Sequence, residues 1–118
     1  MKAELKGVHS PDVDDVRKYS PPDPVNFAVL IQALIGPMGE PGAESFNIEV
    51  CTPRWLETQL DGEGAIFGRH LLVVRNYDYE AIVKKIERFL DLCTGSDWPE
   101  IARKVSRIGL WEFEDYEG

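Results

Sequence analysis

The sequence predicts an α+β domain, a mainly antiparallel sheet of about four to five strands with helices packed on one face. Three features of the chain lead there. Residues 27–35 and 45–51 are strand-like runs joined by a Gly/Pro-rich stretch, the pattern of a hairpin. Two later stretches repeat apolar residues at helical spacing behind aspartate caps. Strands and helices do not alternate regularly, as a doubly wound parallel sheet would require. With 118 residues, 43% of them hydrophobic and 29% charged, the chain has the composition of one globular domain spanning 1–118.

Residues 3–9 partly alternate and predict a first strand, ended by Ser10 and Pro11. The loop that follows carries Asp12, Asp14 and Asp15 and runs on through Pro21, Pro22 and Pro24, whose missing N–H groups exclude a helix or a central strand. Phe27 to Ile35 is almost wholly apolar, short and rich in β-branched residues, which predicts a central strand. Residues 36–43 then form a hairpin loop, and Ser45 to Cys51 returns antiparallel with Phe46, Ile48 and Val50 on one face.

Thr52 before Pro53 supplies a capping hydroxyl and a proline suited to the first helical position, so a short helix runs to about Leu60 and is stopped by residues 61–64. Ala65 to Arg75 alternates as a strand, with Ile66, Gly68, His70, Leu72 and Val74 on one face. Phe67, Arg69, Leu71, Val73 and Arg75 share the other face, nearer water because of its arginines. Asp78 caps a helix whose stripe is Ile82, Val83, Ile86, Phe89, Leu90 and Cys93, ended by Gly95. Asp97 and Glu100 form a near-match to a capping box that opens a last helix with Trp98, Ile101, Ala102 and Val105 inward. Gly109 ends it, and Leu110 to Phe113 forms a terminal strand or tail.

A formal net charge of -8 repels phosphate backbones, so direct nucleic-acid binding lacks its usual drive and a basic partner is favoured. Charges occupy the first seven residues, where an export signal would be apolar, and no apolar run approaches the length of a membrane span. A cytoplasmic protein with no membrane contact is the expectation. Cys51 and Cys93, far apart in sequence, are expected to be free buried thiols.

No pattern of reactive residues predicts catalysis. The glycines at 36, 39 and 42 lack the Lys-Ser/Thr ending of a phosphate loop and enclose Glu40, of the wrong sign. His9 and His70 are the only histidines, and His70, alternating with apolar residues, reads as a satisfied core side chain. Two histidines and two scattered cysteines match no zinc spacing, so no metal or cofactor is expected. Asp12 and Asp14 are spaced like the opening of a calcium loop, but Val16 and Arg17 occupy its fifth and sixth positions, leaving a solvated acidic loop.

Acidity concentrates at the carboxyl end. Residues 111–118 hold four acids and no base, half of the net charge of -8. In an extended segment Trp111, Phe113 and Asp115 project to one side and Glu112, Glu114 and Tyr116 to the other. One side can dock on the core while the other offers carboxylates and a tyrosine, the residue mix of an interface.

Several strings together resemble one family: the amino-terminal residues 1–6 with His9, Ser10 and Pro11; Ser45 and Phe46 leading to Cys51, Thr52, Pro53, Trp55 and Leu56; Phe67 to His70; and Ile108, Gly109 and Trp111 to Tyr116. This is similar to the immunity protein 8 family of bacterial polymorphic toxin systems. The resemblance spans almost the whole chain and brings no catalytic motif. It implies a protein that protects the producing cell by binding and neutralising a cognate secreted toxin in the cytosol, and the acidity extends this to a basic toxin such as a nuclease. Trp111, Glu112, Glu114, Asp115 and Tyr116 are the candidate contact patch, with Asp12, Asp14 and Asp15 as second candidates. Two other readings stay open: a non-catalytic adaptor or oligomerising domain, and a small enzyme using His70 with Arg69 or Cys51.

Overall fold

The computed structural model describes residues 1–114. The elements follow in the order β1 (Ala3–His9), β2 (Ala28–Pro37), β3 (Glu44–Cys51), α1 (Pro53–Glu63), β4 (Leu71–Val73), α2 (Tyr79–Leu90), α3 (Trp98–Val105) and β5 (Leu110–Trp111). The strands form one sheet in the order β1-β2-β3-β4, with β5 also paired to β3. Every pair is antiparallel except β3 with β4, so the mainly antiparallel α+β class expected from sequence is the fold observed.

Strand β2 reads as one apolar run, yet its burial alternates strictly from Ala28 to Ile35 because only one face of the sheet is covered. Val29, Ile31, Ala33 and Ile35 point into the core beside Phe46, Ile48 and Val50 of β3. Helix α2 adds Ile82, Ile86 and Leu90, and α3 adds Ile101, Ala102 and Val105. Each large aliphatic side chain buried in this way contributes about 1.5–3 kcal/mol. Asp78 Oδ1 accepts from Ala81 N and Asp97 Oδ1 from Glu100 N, so both predicted caps are made.

Thr52 joins two elements. It is 1% exposed, and its Oγ1 accepts from Trp55 N at 3.3 Å, capping α1, and from Phe27 N at 3.2 Å, tying the approach to β2. Helix α1 continues past Leu60 to Glu63, because Gly64 at φ 75° supplies the left-handed residue that closes it. Helix α3 ends at Val105 with Ser106 as its cap, so Gly109 is not its terminator and serves the approach to β3 instead. A Cβ there would lie 2.9 Å from Phe46 Cβ and 3.2 Å from Ile48 Cγ1, so only glycine lets this backbone lie on β3.

The predicted strand over 65–75 shrinks to Leu71–Val73. His70 stands at φ 64°, which no strand residue adopts, and Leu71 N donates to Gly68 O across a turn. Leu72 and Val74 still pack on the core as expected, whereas Phe67 is 97% exposed. The pairing of β4 with β3 is parallel because α1 carries the chain back between them. Helix α2 ends at Leu90, three residues before Cys93, but Cys93 is buried and free, as is Cys51.

The proline-containing loop is held by Tyr77, whose hydroxyl donates to Val16 O at 2.5 Å and whose ring meets Tyr19 edge-on at 5.0 Å. Burial is the main cause that pushes the Tyr77 phenol up to about 12.

Because Thr52 satisfies two backbone donors at once, the near-isosteric Thr52→Val should cost about 2 kcal/mol, read by urea unfolding, with Thr52→Ser close to wild type.

Candidate functional site

The carboxyl-terminal segment is tied down before it can offer anything to a partner. Strand β5 pairs Trp111 with Phe46 and Leu110 with Asn47. The Trp111 ring stacks on Phe46 at 6.3 Å and 9°, and meets Phe113 edge-on at 5.9 Å. Its Nε1 donates to Glu44 Oε1 at 3.3 Å, and Trp98 Nε1 donates to the same oxygen. Glu44 thus clips α3 and β5 to the start of β3.

The acids of the segment carry internal bonds as well. Glu112 extends the ladder: its N–H donates to Ser45 O at 3.0 Å and its Oε1 accepts from Ser45 N at 2.8 Å, while the side chain stays exposed. Glu114 forms an ion pair with Arg69, its side chain 25% exposed against 62% for the arginine. Asp115 and Tyr116, the other two members of the candidate patch, lie outside the described residues.

His70 sits beside this ion pair. Its Nε2 is 2.9 Å from Ser106 O, and a carbonyl only accepts, so this nitrogen carries the proton. Arg69 Nε, 3.2 Å from the same nitrogen, then finds no lone pair there. The histidine is satisfied, as sequence suggests, but half-buried at the end of α3 and not within the core. Cys51, its suggested partner in an enzyme, is fully buried, and burial, with the charge of Glu49 second, pushes its thiol up and away from the reactive thiolate.

The three acids of the first loop separate in role. Asp12 Oδ2 accepts from Leu30 N at 3.1 Å, replacing the strand partner that β2 lacks where β1 has ended. Asp15 Oδ1 accepts from Arg17 N at 2.9 Å within its own turn. Asp14 and Asp15 border an open groove of about 510 Å³ between β1, this loop and α2, which Lys6, His9, Arg17 and Glu87 also line. Its charges are of both signs. Among the described residues no three His, Cys, Asp or Glu side chains converge as a metal site.

A feature that sequence reading missed lies on the sheet face opposite the helices. In register across it stand Leu30, Glu49 and Leu71, and in the adjoining row Gln32, Asn47 and Leu110. Leu110 is 45% exposed, and Val73, beyond Leu71, is 49% exposed. The Glu49 carboxyl is held above the ordinary glutamate range, first by burial between its neighbours and then by the Asp12 charge. Among the described residues its carboxylate has neither a hydrogen bond nor an ion pair. The signal was present, since Asn47 and Glu49 alternate with Phe46, Ile48 and Val50, but the leucines beside Glu49 come from strands fixed only by tertiary pairing.

The described residues thus form an α+β scaffold with an anchored aromatic segment at Trp111 and Phe113 and one sheet face opposite α2 and α3. The chain belongs to the immunity protein 8 family, whose sequence profile matches residues 3–116. Comparison with curated proteins and with solved structures gives no match. No helix among the described residues is long and apolar enough to cross a membrane.

A carboxylate whose folded pKa is raised favours the folded state when protonated and opposes it when ionised, and the penalty is complete above the raised value. Glu49→Gln should therefore melt at or slightly above the wild-type temperature at pH 7. That advantage should shrink as pH falls through the raised Glu49 value and protonation relieves the wild type. Thermal unfolding of both proteins across acidic pH measures it.

Proposed function

We propose that this protein is the immunity partner of a secreted bacterial toxin, binding it noncovalently and neutralising it in the cytosol of the producing cell. The observation that carries this reading is the family match over residues 3–116. The net charge of -8 supports a basic toxin, and a nuclease fits best because it must present a positive groove to nucleic acid. An acidic protein seated over that groove competes with the substrate for the same cations.

The proposed contact patch is Trp111, Glu112, Glu114, Asp115 and Tyr116, with Asp12, Asp14 and Asp15 at the second rank. Among these Glu112 combines solvent exposure with a fixed position, since its bond to Ser45 N limits the side-chain entropy lost on binding. Glu114 shares its charge with Arg69, so its pull on a partner is weaker.

Coexpression with a cognate toxin domain, sought first among the genes flanking this one, should restore growth, and the two chains should copurify; continued killing with no complex would overturn the reading. Glu112→Gln keeps an acceptor for Ser45 N and removes the charge. It should slow association about threefold to tenfold at low salt and much less at high salt, with melting unchanged, as measured by stopped-flow binding.

A further inference from the structure

The sheet face opposite α2 and α3 has a composition unlike the rest of the surface. From β2 to β5 its half-buried and exposed strand positions are Ala28, Leu30, Gln32 and Leu34, then Ser45, Asn47 and Glu49, then Leu71 and Val73, then Leu110, while Gly36 and Cys51 in the same rows are buried. No lysine or arginine stands among them. Glu49 is at the middle of this face, with Leu30 on one side and Leu71 on the other in the same row. The Asn47 Oδ1 atom, two residues along the strand, is enclosed and also lacks a donor.

Aliphatic side chains around a central charge form the arrangement in which a rim excludes water from a polar contact at the heart of an interface. We propose that this open sheet face is where the toxin docks, with Glu49 receiving an arginine or lysine of the toxin. The proposal rests on the immunity reading and names its surface.

Charge selects the occupant. Covering Glu49 with an apolar or acidic surface would strand an uncompensated carboxylate away from water, so the docked partner must bring a cation. Among the described residues no cation pairs with it: the nearby charge that acts on Glu49 is Asp12, another acid, itself fixed on Leu30 N. A second copy of this chain is a poor fit, because a two-fold contact would set the same acidic patch against itself. Nucleic acid is repelled by the same charges.

The face also borders the carboxyl-terminal patch. Leu110 belongs to the open face while its neighbour Trp111 turns to the core, so Glu112 comes next along the edge of the same surface. One toxin seated on the sheet can meet Glu49 at its centre and Glu112 at its rim. The two acids then differ in kind: a rim charge acts on the association rate, whereas a charge enclosed by the complex acts on dissociation.

The test uses the full chain and the cognate toxin domain identified by the coexpression experiment above. Wild type, Glu49→Gln, Glu49→Lys and Leu71→Ala are titrated against the toxin by calorimetry and surface plasmon resonance, with thermal melts of each protein alone. Glu49→Gln should keep its fold and bind at least about thirtyfold more weakly, mainly through faster dissociation, and Glu49→Lys should abolish binding. Leu71→Ala should also weaken binding by opening the rim to water. Unchanged affinity in folded Glu49→Gln and Glu49→Lys, with wild type binding, would overturn the docking face and leave the immunity reading standing. A wild-type chain that does not bind the toxin would overturn both.

Discussion

Strand β3 is paired along both of its edges, and the other parts of the sheet depend on that. On one side it runs against β2 from Ala28–Cys51 to Ile35–Glu44, the longest continuous ladder in the molecule. On the other side the edge is shared, with β4 taking Glu49 to Cys51 in parallel and β5 taking Phe46 and Asn47 antiparallel. Short strands of two and three residues are marginal by themselves, and here each borrows order from a strand already fixed on its far side. The buried alternation of Phe46, Ile48 and Val50 locks that strand in register, since a one-residue slip would turn these side chains to water.

The two ends of β3 are secured by single side chains that serve two neighbours each. At its start Glu44 accepts from the indoles of Trp98 and Trp111, and beyond its end Thr52 accepts from Phe27 and Trp55. Helix α3, strand β5, the approach to β2 and helix α1 are thereby referred to one strand. Gly109 permits the same economy in backbone, because any side chain there would separate β5 from Phe46. The same geometry leaves one face of the sheet without α2 or α3. Helices α2 and α3 pack on the core face, so Glu49 of the central strand projects from the opposite one, half-buried between Leu30 and Leu71.

Most element positions were legible from the chain because they rest on local rules. Period-two spacing located β1 and β3, a short β-branched apolar run located β2, helical spacing located α2 and α3, and the aspartate caps at 78 and 97 fixed two helix starts. The region 65–75 was misread for a physical reason. Its alternation of apolar residues is real, and Leu72 and Val74 do turn to the core, but the left-handed His70 breaks the extended backbone that the alternation implied. Likewise the acidic tail was visible as composition, while the bonds that anchor Glu112 on Ser45 and pair Glu114 with Arg69 span separations of 67 and 45 residues.

By itself the sequence determined the α+β class, the helix caps, the buried stripes of β3, α2 and α3 and the family, because each is written in residue spacing or in contiguous motifs. Only the tertiary structure decided that Glu112 and Glu114 are engaged within the chain while Glu49, half-buried, has no partner among the described residues. An acid on a strand is an ordinary solvent-facing residue until the neighbouring strands are in register. Leu30 and Leu71, lying 19 and 22 residues from Glu49 along the chain, enclose it only once β2 and β4 have paired with β3.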